Sequence, residues 1–232
     1  MTTVWPIDLE CPCCHKKIYT YDVGSTNSFG EMTTDFRQKA LGDQPSNYAL
    51  HTCRSCSFTG TFHEIETARL SVQDKIFIRI RLYLRYRAMR RQGPFHPGNR
   101  FELYAILKER EGWSNRKLGD LYLQAAWASS DYSIERDEYK YRMAAVACYK
   151  RVLANSETNP CTNTLIIYLI GEQFRRVHET ETADQWFDQA IIEAEKTDQS
   201  ALADLARQQK TEPKDMFDRD DKTRELLSFI FW

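Results

Sequence analysis

Two CxxC pairs constrain this chain more than any other feature. "CPCC" holds Cys11 and Cys14, and "CRSC" holds Cys53 and Cys56. Each pair can set two thiolates on one tight turn, aimed at one point. Two such turns make a tetrahedral four-sulfur site of the kind zinc accepts, because zinc imposes no geometry of its own. A lone CxxC would leave thiol redox chemistry open. The matched pair points to structural zinc, with iron in the same four-thiolate geometry and disulfides as the alternatives. The gap between the pairs is 38 residues, against about 15–20 in common sites. Loop closure grows only logarithmically, so doubling a gap costs about 0.6 kcal/mol. "DVGSTNSFGEMTTDFRQKALGDQPSN" is expected to fill it as a long loop between short strands. Knuckles of this type favour glycine after the second cysteine, where the backbone turns left-handed. Here His15 and Ser57 stand there, at a cost of ~1–2 kcal/mol for a side chain, which histidine tolerates better than most.

Cys13 is left over. It is expected to face solvent on the knuckle, the alternatives being a ligand in a shifted register or a regulatory thiol. His51 and His63 are reserve ligands. Cys148 and Cys161 lie in helical sequence and are expected in the core. The alternation in "YALHTCRSCSFTGTFHEIE" predicts short strands around the second pair. Residues 1–70 therefore read as a zinc-ribbon-like domain, with little core of its own, whose folding leans on the metal.

The formal net charge of −1 conceals a partition. Residues 1–70 carry 6 Lys/Arg and 8 Asp/Glu, residues 71–117 carry 12 and 4, and residues 118–232 carry 14 and 21. The basic middle can offset the acidic C-terminal half or meet an acidic partner. A hydrophobic fraction of 42% supports a packed core and argues against global disorder. No apolar run approaches the ~20 residues of a membrane span. "MTTVWPIDLE" lacks the basic start and apolar stretch of a secretory signal, so a cytoplasmic location is expected, where thiols stay reduced.

Ser71 and Asp74 form a capping-box pattern that opens a stretch running to about Arg91. Its apolar residues fall at 76, 78, 80, 82, 84, 86 and 88, a strand-like period of two. Length, cap and the lack of Gly or Pro decide for a helix, apolar on several faces and wedged between neighbours, with its arginines reaching outward. "QGPFHPGNR" then marks a boundary, making 71–95 a basic linker helix.

Helical periodicity dominates from residue 98. In "YLIGEQFRRVHETETADQWFDQAI", Gly171 is followed by Phe174, Ala183, Phe187 and Ala190. The small residues let two backbones approach and the aromatics fill the space beside them. These offsets resemble the tetratricopeptide repeat, two antiparallel helices per unit. An earlier copy, "KLGDLYLQAAW" with "EYKYRMAAVACYKRVL", offers Leu118, Gly119, Tyr122, Ala145 and Tyr149. Its longer spacing must lengthen the helices or the turn between them. A generic helical bundle is the alternative. Residues 96–197 are assigned to the repeats, and 198–232 to a capping helix and a tail ending "LLSFIFW", which either packs back or docks on another subunit. His178 is read as a solvated turn residue. The fold class is thus mainly α, a small N-terminal β zinc-ribbon-like domain followed by α-helical tetratricopeptide-like repeats.

The layout as a whole resembles an uncharacterised bacterial family with a CPxC…CxxC head and a helical tail of tetratricopeptide type. "CPCC", "CRSC", "KLGDLYLQAAW", "AAVACYKRVL" and "YLIGEQFRRVHETETADQWFDQAI" carry the likeness, from about residue 11 to 192. The resemblance implies architecture, zinc and a bacterial source, and no reaction.

No GxSxG, HExxH or phosphate-binding loop occurs, so the chain is expected not to be an enzyme. The leading expectation is a zinc-binding adaptor or scaffold that grips a protein partner through its repeats. By the tetratricopeptide likeness, the first helix of each pair lines the groove, which places Leu165, Tyr168, Glu172, Arg175 and Arg176 there, with Trp113, Arg116, Asp120, Leu123 and Gln124 from the earlier copy. Arg175 and Arg176 are expected to be exposed. The alternative is nucleic-acid binding through the ribbon and the arginines of 75–91, with Phe77, Tyr83 and Tyr86 for stacking.

Overall fold

A computed structural model describes residues 1–155 and 158–217. The terminal run "LLSFIFW" lies outside the described residues. Contacts divide the chain into two compact units, residues 1–29 with 40–141, and residues 30–39 with 142 onward.

In the first unit, β1 (Thr3–Glu10) pairs antiparallel with β2 (Lys17–Ser25), from Glu10 opposite Lys17 to Val4 opposite Val23. The alternation of the strands turns Leu9 and Ile18 inward. After a 3₁₀ turn at Pro45–Tyr48, the two-residue strands β3 (His51–Thr52) and β4 (Thr59–Gly60) flank the second cysteine pair. The residues after them depart from the expected alternation, because "FHEIET" is helix α1 (Phe62–Thr67). A capping box decides this. Thr61 Oγ1 accepts from the Glu64 amide, and the Glu64 carboxylate accepts from the Thr61 amide, satisfying amides that a strand would have paired with a neighbour.

The basic stretch is helical throughout: α2 (Val72–Phe77), a π-turn over Ile78–Leu82, and α3 (Tyr83–Gln92). The expected box is present, with Ser71 Oγ accepting from the Asp74 amide. The π-turn resolves the period-two signal. In an α-helix, residues two apart lie about 200° around the axis, so a period of two drifts off register within a few steps. The wider i→i+5 turn rotates less per residue and cancels that drift. Ile78 and Leu82 are therefore fully buried, while Ile76, Ile80 and Leu84 share the opposite, exposed face. The helix is thus not wedged on all sides. Its inner face joins Leu9, Cys13, Ile18 and Ile65 to Leu103 and Leu107 of α4 (Pro97–Arg110) in one core. A second core links Phe101 and Tyr104 of α4 to Leu121, Ala125 and Ala128 of α5 (Asn115–Asp131) and to Tyr141. Gly98 is needed where those helices cross, since a Cβ there would stand 2.7 Å from the Ala125 carbonyl oxygen.

One turn recurs. After α4 and α5, and after α7 (Pro160–Arg176) and α8 (Thr180–Lys196), the chain enters the left-handed region at Gly112, Ser133, His178 and Asp198. Each time, the following amide returns to a carbonyl five residues back. The bonds are Trp113 to Lys108, Ile134 to Ser129, Glu179 to Phe174 and Gln199 to Ala194, at 2.8–3.0 Å. This C-cap satisfies the last carbonyls and reverses the chain within three or four residues. It makes the helical part repeat-like, and His178 sits exposed in such a turn, as read. The stretched first copy keeps a short turn, and its helices α5 and α6 (Glu135–Ala154) have 17 and 20 residues against 17 and 17 in α7 and α8. The extra spacing arises because Gly119 and Ala145 each lie about two helical turns farther from the connecting turn than Gly171 and Ala183.

In the second unit Gly171 faces the Phe187 ring, which a Cβ would meet at 2.9 Å, and Ala183 and Ala190 are buried. The helix α9 (Ser200–Thr211) follows where a helix is expected. The long gap between the cysteine pairs is not simply a loop. Residues 30–39 form a narrow hairpin, bridged at Met32 and Gln38, that also bridges Thr33 to Met216. It is fixed to α6 and α7 by buried polar contacts. The Thr34 hydroxyl donates to Glu172 Oε1 (2.6 Å), the Tyr168 hydroxyl donates to the Thr34 carbonyl (2.9 Å), and Asp35 pairs with Arg142 (3.1 Å).

Asp35 and Arg142 have 0% and 2% side-chain exposure, so removing Asp35 takes the carboxylate from two buried guanidinium groups, Arg142 and Arg176 (3.5 Å), where little water can replace it. Asp35→Ala is expected to destabilise the fold by about 3–5 kcal/mol. Denaturant unfolding checks this, and a loss below about 1 kcal/mol, the scale of a surface pair, would show that the hairpin is not pinned by this ion pair.

Candidate metal centre

Both cysteine pairs sit on the same kind of turn. In the first, the His15 amide donates to the Cys11 carbonyl (2.8 Å) and the Cys11 amide to the Lys16 carbonyl (3.0 Å). In the second, the Ser57 amide donates to the Cys53 carbonyl (2.7 Å) and the Cys53 amide to the Phe58 carbonyl (2.8 Å). His15 (φ 59°) and Ser57 (φ 68°) both adopt the left-handed backbone that their positions demand. The β1–β2 hairpin carries the first turn and the β3–β4 pair the second, which turns four side chains toward one point.

The four sulfurs all lie within 4.8 Å of one another. Cys11 and Cys56 are 3.5 Å apart, and Cys14 and Cys53 are 3.6 Å apart. A tetrahedron with ~2.3 Å metal–sulfur bonds has edges of about 3.8 Å, so the spacing fits an ion at the centre. It is far too long for a disulfide, and all seven cysteines are free thiols. Crowding splits their acidities. Hydrogen bonds from Cys11 and Cys56 push the Cys53 thiol far down. The bond to Cys53 raises Cys11 to about 12, and the bond to Cys11 raises Cys56 further. One thiolate is thus stabilised at the expense of its neighbours, and all four ionise together only around a cation.

The reserve ligands stay out of the cluster. His51 is buried with Nδ1 3.2 Å from Thr20 Oγ1, and His63 is exposed on α1. Cys13 corrects the expectation that it faces solvent. It is 1% exposed and packs in the core beneath the π-turn, while its carbonyl accepts from Arg79 Nη2 (3.2 Å). The knuckle's apolar underside needs a neighbour, and the helix supplies it. Cys148 is buried as expected, but Cys161, in the first turn of α7, is exposed.

The residues read as a partner groove fall into two sets. On α5, Arg116 and Asp120 form an i,i+4 ion pair at 3.1 Å. On α7, Tyr168 and Glu172 are fully buried. Arg175 and Arg176 are mostly enclosed rather than exposed, each 2.8 Å from Glu172, and Arg175 also binds Asp215 (2.8 Å). Their contacts go to the chain's own residues 34 and 214–215. No residue pattern near Arg175 and Arg176 points to this directly. The one available hint was the run Thr33-Thr34-Asp35, polar residues inside a loop otherwise too long for its metal site.

Residues 7–213 match the family described as "Uncharacterized protein conserved in bacteria (DUF2225)". The chain belongs to that family. No curated protein and no solved structure matches it significantly. In this DUF2225 chain both cysteine pairs, the basic helix and the described helices through α9 lie within the matched span.

Ser57 is fully buried, its hydroxyl has no hydrogen-bond partner, and its backbone is left-handed. Ser57→Gly removes both penalties. Part of the gain is offset by the greater freedom of glycine in the unfolded chain. The metal-loaded protein is expected to gain about 1 kcal/mol. A lower melting temperature for the variant would show that the Ser57 side chain contributes packing that outweighs both.

Proposed function

We propose that the protein is a non-enzymatic adaptor whose N-terminal ribbon is stapled by one structural zinc ion. The observation that carries the metal assignment is the closed set of four thiols on two matched turns. No ligand position is left for water or substrate, as is usual for structural zinc and not for catalytic zinc. Cys11, Cys14, Cys53 and Cys56 would hold the ion. Its charge would let all four thiols ionise, and its bonds would tie the hairpin to the second turn. Reduced, metal-bound thiols suit the cytoplasm.

The adaptor half of the reading rests on the helical hairpins, which we take as tetratricopeptide-like. An internal contact of the second unit supports this reading by analogy. A short hairpin segment of the chain lies on α6 and α7 and is held through a hydroxyl, a carboxylate and the Phe36 ring, which packs 5.5 Å from Tyr168. A protein partner would then use another helix face, and α5 with the half-buried pair Arg116 and Asp120 is the candidate. Nucleic-acid binding has less support, because stacking needs open aromatic faces and Phe77, Tyr83 and Tyr86 beside the arginines are half-buried.

Elemental analysis of anaerobically purified protein is expected to find about one zinc per chain. Cys56→Ser is expected to release it and to remove hydrogen-exchange protection from β1–β4, while α7 to α9, with their own core, stay protected. Metal-free wild-type protein would refute the staple.

The α5 face has its own test. The charge swap Arg116→Asp with Asp120→Arg keeps an i,i+4 ion pair, and far-ultraviolet circular dichroism should show that the helical fold is retained. The swap is expected to weaken partner capture from native extract at least tenfold, about 1.4 kcal/mol. Unchanged capture would move the partner site off α5.

A further inference from the structure

The outer face of the α2–α3 helix has a composition that its fold does not explain. Val72, Ile76, Ile80 and Leu84 are 75%, 53%, 57% and 64% exposed. They stand four residues apart, and the π-turn keeps the row straight where a plain α-helix would wind it around the axis. Four aliphatic side chains in line on one solvent-facing ridge are not random surface scatter.

Cations border the ridge. Arg79 and Arg87 stand three residues beyond Ile76 and Leu84 on one flank, Arg81 lies on the other, and Arg91 continues the row. The helix 72–92 carries Lys75, Arg79, Arg81, Arg85, Arg87, Arg90 and Arg91 against the single acid Asp74. That acid is taken by the helix cap and by Arg110, and Arg85 is paired with Glu102. Among the described residues the other six cations have no carboxylate partner. Arg79 binds the Cys13 carbonyl and Arg87 the Tyr83 hydroxyl, both neutral acceptors that leave the positive charge uncompensated.

We propose that this ridge docks the protein on an anionic lipid bilayer, with Val72, Ile76, Ile80 and Leu84 entering the headgroup boundary and the flanking arginines binding lipid phosphates. A straight aliphatic ridge between guanidinium groups is complementary to a flat surface that is apolar just below a layer of negative charge. The aliphatic character separates this from nucleic-acid binding, which wants stacking rings. The ridge shape separates it from a helix-binding groove, which would be concave. The inner face of the same helix packs on the underside of the first cysteine turn and on α4, so the helix is presented rigidly and pays no ordering cost on binding. The proposal goes beyond the adaptor reading and does not depend on α5.

The test is vesicle co-sedimentation of the zinc-loaded full-length chain. Binding is expected to mixed phosphatidylglycerol–phosphatidylcholine vesicles and not to phosphatidylcholine alone, weakening as salt rises. Ile80→Ser with Leu84→Ser is expected to cost at least tenfold, and Arg81→Ser with Arg91→Ser at least tenfold with a shallower salt dependence. All four side chains are exposed, so unchanged far-ultraviolet circular dichroism should accompany both losses. Phe229→Ser with Phe231→Ser, in the apolar end of the chain, should bind like wild type. As a second measurement, amide exchange over 72–91 should slow on anionic vesicles. Absence of vesicle binding, equal binding to neutral vesicles, an unaffected Ile80/Leu84 variant, or loss of binding only in the Phe229/Phe231 variant would each overturn the proposal. So would equally tight binding to double-stranded RNA that ignores Ile80 and Leu84, since that would make the face a general polyanion surface. A protein that holds zinc and captures its partner but ignores lipid would defeat this inference alone.

Discussion

Four sulfur atoms that must share one small volume set the terms for the first unit. Their side chains are held within 4.8 Å by two turns from distant parts of the sequence. Without a cation, a charge on one thiol raises the cost of a charge on the next. The same turns hold Leu9, Ile18 and Phe58 in a core that continues through Ile78 and Leu82 to Leu103 and Leu107. The small strands alone would bury too little apolar surface to be stable. Cys13 shows how closely the two are joined. It belongs to the turn by sequence and to the hydrophobic core by position.

The α2–α3 helix is where this core meets an unusual sequence. An ordinary amphipathic helix has one apolar stripe. Here an apolar residue at every second position gives two, on opposite sides. The π-turn keeps them apart, so that one stripe anchors the helix while the other stays in solvent. Such turns arise rarely and often mark functional positions.

The second unit is ordered by a different kind of constraint. Arg142, Asp35, Glu172 and Arg176 are charges removed from water. Buried pairs of this sort add little net stability compared with apolar packing, but they penalise any arrangement that leaves one member alone. That penalty favours one segment against α6 and α7. Residues 33–35 supply the hydroxyl and carboxylate that match.

Much of this was legible in the residues. The two CxxC pairs determined the four-sulfur site and the left-handed positions after it. The Ser71–Asp74 pair determined the start of the basic helix, and Gly171, Ala183 and Phe187 determined the close crossing of α7 and α8. Each is a local pattern, in which spacing along the chain is enough to put side chains on one turn or one helix face. What only the tertiary structure decided involves residues far apart. The burial of Cys13 depends on Arg79 and the π-turn. The exposure of the 72–84 stripe depends on which of two equivalent apolar faces the core took. The enclosure of Arg175 and Arg176 depends on a hairpin more than 130 positions earlier, as the separation of 138 between Thr34 and Glu172 shows. An arginine beside a glutamate reads the same in a sequence whether water or another segment covers it, because desolvation is a property of the assembled surroundings and not of the neighbours along the chain.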